Sequence, residues 1–194
     1  QGINLIKGVE IALENSNLVY FADYGTLLGI IRDHQFISWD NDLDYGILID
    51  DSFDWNYFEH NLNQYGFRKV REFKIDGHIK EQTYCMKKQK LTIDFFGHQN
   101  LGNKCIAYEF FRKENYIYHS PDEFHIRKAE GIQISGTTKV DFLGTQVSVP
   151  ENAEQYLADV YTEKWKVPDP EWTEDNNPDS KYREIEAIGN GFFY

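Results

Sequence analysis

Three aspartates spaced two residues apart, Asp40, Asp42 and Asp44, close the stretch Tyr24–Gly46. In an extended strand, residues i and i+2 share a face with Cα atoms roughly 6–7 Å apart. Asp42 and Asp44 can therefore converge on one or two cations while Leu43 packs into the core. Like charges held this close repel, and a divalent cation is the usual remedy. Mg²⁺ favours hard oxygen ligands and keeps room for water and a substrate phosphate. The segment points to metal-assisted chemistry on a phosphate. A further carboxylate, Asp94, lies in the apolar run Leu91–Phe96. Ionised between Ile93 and Phe95 it would be costly if it pointed into the core, whereas beside Asp42 and Asp44 a metal would offset it.

The elements that must position these groups are legible from periodicity. Ile3, Ile6, Val9 and Leu13 recur at helical steps, so the first fifteen residues read as an amphipathic helix. A short β run, Leu18–Phe21, leads into Gly25, and Thr26–Ile31 reads as a short helix with Gly25 and Thr26 at its mouth. Leu43–Ile49 reads as the strand that begins with the aspartates. Ser52 is the expected N-cap of a helix through Tyr65, with Gly66 as its stop. Strands are expected at Phe67–Phe73, His78–Met86 and Leu91–Phe96, and a hairpin at Lys139–Phe142 and Thr145–Val149 around Leu143-Gly144. A helix is expected near Glu151–Tyr161. Leu101–Glu130 reads as loops and short elements over the core. The part after Val167 reads as an extended tail with a short helix near Lys181–Ile188.

At 194 residues, the chain fits one domain with a core at about 18–168 and a tail at 169–194. Its net charge of -12 argues against nucleic-acid binding, which needs a basic surface. Cys85 and Cys105 have no CxxC spacing and read as reduced thiols. No apolar run approaches the roughly 20 residues of a membrane span, and no signal peptide is visible. A bacterial cytoplasmic location is the expectation. A pattern that opens directly on a helix at Gln1 leaves open that the chain is a domain cut from something longer.

A small-residue turn, Asp-hydrophobic-Asp, then hydrophobic-Asp-hydrophobic on a later strand resembles the nucleotidyltransferase superfold. Gly25–Gly29, Arg32, Phe36-Ile37 and Trp39–Asp44 resemble the signature of the LicD family, as does Val149-Pro150 with Leu157, Tyr161, Trp165 and Pro168. The resemblance runs from about Tyr20 to Pro168, with Ser38 where proline is common and Glu163-Lys164 where Gly-Asp is common. It implies an α+β, polymerase-β-like nucleotidyltransferase fold with a mixed central sheet flanked by helices. It also implies a Mg²⁺-dependent (or Mn²⁺-dependent) phosphotransferase. Such an enzyme moves phosphocholine or a polyol phosphate from a CDP-linked donor to a hydroxyl of a cell-surface glycan. The residues that carry over are Asp42 and Asp44 as metal ligands and Asp94 as third ligand or general base, with Asp40 as ligand or support. Gly25 and Thr26 would sit against donor phosphate at a helix N-terminus, and Arg32 would fork a phosphate.

Other readings stand beside this one. The three aspartates mimic the start of an EF-hand loop, but Tyr45 and Asp51 occupy the positions that need glycine and glutamate. Arg32 suits a structural ion pair as well as a phosphate, and Lys88, with Lys87 and Lys90, suits a solvated turn as well as a donor diphosphate. His34 could touch substrate or lie in a surface loop. Trp39 and Trp165 could stack on a base or a choline-type cation, or pack in the core. A nucleotidyltransferase that transfers NMP, and a non-catalytic glycan-binding domain, are the alternative functions.

Overall fold

The computed structural model describes residues 1–86, 90–173 and 181–194, and strands dominate it. In chain order the elements are α1 (Gly2–Leu13), β1 (Tyr20–Ala22), α2 (Tyr24–Leu28), a π turn (Gly29–Asp33), β2 (Leu43–Leu48) and α3 (Trp55–Gln64). There follow β3 (Phe67–Ile75), β4 (His78–Met86), β5 (Thr92–Leu101), β6 (Lys104–Phe111) and β7 (Glu123–Gly131). The chain ends with β8 (Thr137–Phe142), β9 (Thr145–Pro150), α4 (Ala153–Tyr161) and β10 (Tyr182–Phe193).

Strands β5, β4, β3, β10, β7 and β6 are each antiparallel to the next, and β6 returns to β5 through the pairs Gln99↔Ile106 to Leu101↔Lys104. The result is a closed six-stranded antiparallel barrel. This corrects the expected α+β, polymerase-β-like nucleotidyltransferase fold with helices flanking a mixed sheet: the described residues are mostly β, with only four α-helices. Strand β2 runs parallel to β5 outside the ring and β1 pairs antiparallel beyond it. Strands β8 and β9 form a separate hairpin.

Two segments account for the difference. Leu101–Glu130, expected as loops, supplies β6 and β7. Neighbours such as Cys105, Ile106 and Ala107, or Phe124, His125 and Ile126, are buried together, so both strand faces are covered and the period-2 pattern disappears. The stretch expected as a short helix near Lys181–Ile188 is instead part of β10, which closes the barrel between β3 and β7. A register shift between Ile185 and Ile188 breaks its alternation. At Gly191 a side chain would come within 2.7 Å of both Phe73 and Phe124, so glycine lets these rings close against the strand.

Local chemistry explains the other boundaries. Helix α3 is capped by Asp54, whose carboxylate accepts the Asn56 N–H at 2.8 Å. Ser52, the expected cap, instead donates to Asp50 at 2.6 Å. Gly66, with φ +85°, ends the turn after the helix. Cys85 and Cys105 are free and buried. Among the described residues no helix is long and apolar enough to cross a membrane.

Strand alternation in β2 and β5 separates core from site. Tyr45, Ile93 and Phe95 are fully or almost fully buried, and Phe95 packs on Phe58 of α3, Tyr84 and Tyr45 at ring distances of 5.0, 5.7 and 5.8 Å. Asp44 and Asp94, one residue out of phase, are register partners on the opposite face. Phe95→Ala should therefore lower unfolding free energy by about 3–5 kcal/mol in chemical denaturation. A loss below about 1 kcal/mol would contradict this packing.

Candidate active site

The site is built where α2 enters from β1 and where β2 begins. Asp40, Asp42 and Asp44 each offer a carboxylate oxygen, and these oxygens lie within 4.8 Å of one another. All three side chains are half-buried. Asp94 stands beside Asp44 on the neighbouring strand and is 6% exposed. Its Oδ1 accepts from Arg71 Nη2 at 3.3 Å.

Crowding has clear electrostatic consequences. Burial, then the charges of Asp42, Asp94, Asp40 and Asp23, hold Asp44 well above the ordinary carboxylate range. Burial, a hydrogen bond with Asp42 and its charge push Asp40 up to about 6. Burial also lifts Asp94 to about 6, against the opposing effects of Thr83 and Arg71. Glu81, buried on β4, is raised well above its usual value by burial and then by Asp94. Such a group of hard, charge-frustrated oxygens fits Mg²⁺ or Mn²⁺, whose charge would replace the protons.

The other expected residues take varied places. Gly25 opens α2 against the aspartates: a Cβ there would collide with the Asp40 carboxylate and come within 3.6 Å of Asp44 Oδ2. Thr26 is buried, and its Oγ1 accepts the Asp44 N–H at 2.9 Å, so it braces the start of β2. Arg32 is sequestered. Its Nε and Nη2 fork onto Asp33 at 2.8 and 2.7 Å, its Nη1 donates to the Trp165 carbonyl at 3.3 Å, and its side chain is 8% exposed. His34 ends the π turn with φ 53° and is exposed, outside the cleft walls. Lys88 lies outside the described residues.

A cleft of about 670 Å³ opens beside Gly25 and Asp40. Trp39, Tyr161, Lys164, Trp165 and Trp172 are among its walls. Trp39 is 53% exposed, whereas Trp165 is 6% exposed. Trp172 Nε1 is buried and has no hydrogen-bond partner among the described residues. The aspartates and this aromatic cleft are therefore contiguous.

Behind the site lies a buried polar network that pattern reading missed. Asp23, wholly buried, caps α2 by accepting the Tyr24 N–H at 2.8 Å. It also accepts from Tyr156 Oη at 2.6 Å and pairs with His98 Nε2 at 2.6 Å. Its own N–H donates to the Asp44 carbonyl at 2.9 Å. Asp23 thus ties α2, α4, β5 and β2 together. The only signal in the sequence was a polar residue just before the helix; His98 and Tyr156 are 75 and 133 positions away.

Residues 17–152 match the family described as LicD/FKTN/FKRP, nucleotidyltransferase domain. The chain belongs to this family, and membership speaks for a transferase-type function in glycan modification. An uncharacterized protein of Rickettsia typhi (strain ATCC VR-144 / Wilmington), RT0683, is 34% identical over 71 residues, 37% of this chain and 23% of that protein. The matched part thus spans less than a quarter of that relative.

Burial opposes the charge on His98, but the charge of Asp23 and the hydrogen bond to it hold the imidazole up at about 10, above the ordinary 6.5. A raised value means that the stabilisation is complete below pH 6.5 and is lost as pH rises through 10. The melting-temperature advantage of the native protein over His98→Gln should shrink across that interval; a constant difference would contradict a charged pair.

Proposed function

We propose that the chain is a divalent-metal-dependent phosphotransferase. It moves a phospho-alcohol, such as phosphocholine or a polyol phosphate, from a CDP-activated donor to a glycan hydroxyl. The observation that supports this most strongly is the convergence of Asp40, Asp42 and Asp44 within 4.8 Å at the edge of an aromatic cleft. A glycan-binding scaffold has no use for carboxylates held in such mutual repulsion.

Asp42 and Asp44 would hold the ion, Mg²⁺ or Mn²⁺, with Asp40 as a further ligand or a support. When bound, the ion supplies Lewis-acid neutralisation of diphosphate charge. The protein's own groups then divide the remaining work. Thr26 fixes the strand that presents Asp44, and Gly25 leaves the space between α2 and the aspartates open. Asp94, at about 6, is matched to accept the proton of the attacking hydroxyl near neutral pH. The exposed Trp39 at the cleft wall offers a stacking surface for a base or sugar ring, and the buried Trp165 packs beneath the cleft.

Turnover of CDP-choline, CDP-ribitol and CDP-glycerol with a glycan acceptor tests the reading by ³¹P NMR. Phospho-alcohol transfer should release CMP, whereas CMP joined to the acceptor would show nucleotidyl transfer instead. Asp44→Asn should lower transfer more than about a hundredfold while the protein still melts cooperatively. Near-native turnover by that variant would exclude the assignment.

A further inference from the structure

The carboxylates of this site have one cation in ion-pair contact among the described residues, and it is not Arg32. Arg71 pairs with Asp94, and its side chain is 36% exposed, against 8% for Arg32. Its geometry also differs from that of a finished structural pair. Arg71 makes single contacts of 3.3 Å to Thr83 Oγ1 and to Asp94 Oδ1, and Nη1 has no hydrogen bond among the described residues. Charge-assisted bonds are ordinarily about 2.7–2.9 Å, the range that the Arg32–Asp33 fork reaches.

The backbone departs from regular pairing to put Arg71 there. Along β3, Lys69 is opposite Tyr84 and Arg71 is opposite Thr83, so Val70 is the extra residue of a β-bulge. In a regular strand Lys69 and Arg71 would share one face. Lys69 points to the α3 side, where it pairs with Glu59 at 2.7 Å. The bulge turns Arg71 to the other face, with Thr83 and Asp94. Bulges commonly re-aim a side chain next to a functional site.

We infer that Arg71 is the phosphate-binding residue of this site, and that its guanidinium takes the anionic oxygens of the donor's diphosphate alongside the aspartate-held cation. The inference rests on the proposed phosphotransferase reading. It assigns to Arg71 the part that the family resemblance had implied for Arg32. A guanidinium suits the task because its planar fork can bind two phosphate oxygens at once while remaining charged. Lys164 lines the cleft but makes no ion pair with the carboxylates among the described residues.

The test is calorimetric titration of the whole chain with CDP, inorganic pyrophosphate and cytidine at saturating Mg²⁺, and with Mg²⁺ alone. Arg71→Gln should weaken CDP and pyrophosphate binding about tenfold to a hundredfold and leave Mg²⁺ binding within about threefold. Arg71→Lys, which keeps a charge beside Asp94 but loses the fork, should lose about fivefold or more. It decides the matter if Arg71→Gln fails to fold. Native-like CDP and pyrophosphate affinity in a folded variant would overturn the role of Arg71 alone. Failure of the native protein to bind either anion would overturn the phosphotransferase reading, and this inference with it.

Discussion

Mutual repulsion among carboxylates that the backbone will not let separate is the constraint around which this site is organised. Two ionised groups about 5 Å apart repel by about 3 kcal/mol at the effective dielectric of a protein surface, and carboxylate oxygens of Asp40, Asp42 and Asp44 all lie within 4.8 Å of one another. Asp94 adds to the load from the adjacent strand. The free protein relieves it in part by retaining protons near neutral pH and in part through Arg71. The proposed divalent cation would relieve it more fully.

Holding repelling groups together requires a rigid frame, and the fold supplies it from several directions. The parallel pairing of β2 with β5 fixes Asp44 beside Asp94. On the opposite face of the same strands, Tyr45, Ile93 and Phe95 are locked into an aromatic and aliphatic core. Thr26 and Asp23 attach α2 to β2 through a side chain and a backbone bond. The ion pair and hydroxyl bond at Asp23 extend the frame to β5 and α4. A fully satisfied polar network of this kind rigidifies its surroundings.

Local patterns revealed the local parts of this frame. The i, i+2 spacing of Asp42 and Asp44, the carboxylate between Ile93 and Phe95, and the hairpin at Leu143-Gly144 all follow from short-range geometry. The barrel did not, because β6 and β7 are covered on both faces and β10 is bulged and rich in glycine. Its closure depends on pairings across the chain, such as Phe193 with Arg71, that no local period encodes. The site shows the same division. The aspartates were evident, whereas Asp23, His98 and Tyr156 meet only in three dimensions. The family resemblance suited Arg32 to phosphate, yet its sequence neighbour Asp33 engages its guanidinium. Arg71 lacked any pattern to mark it, since the bulge that turns it toward Asp94 is visible only in the pairing register.

The central proposal is that these carboxylates hold a divalent cation. Calorimetric titration of the protein with Mg²⁺ at pH 6, in two buffers of different ionisation enthalpy, addresses it directly. Asp40 and Asp94 are half-protonated near that pH, so binding must displace protons. The expected result is saturable Mg²⁺ binding whose apparent enthalpy changes with the buffer in the sense of net proton release. No binding at millimolar Mg²⁺, or binding without proton release, would contradict it.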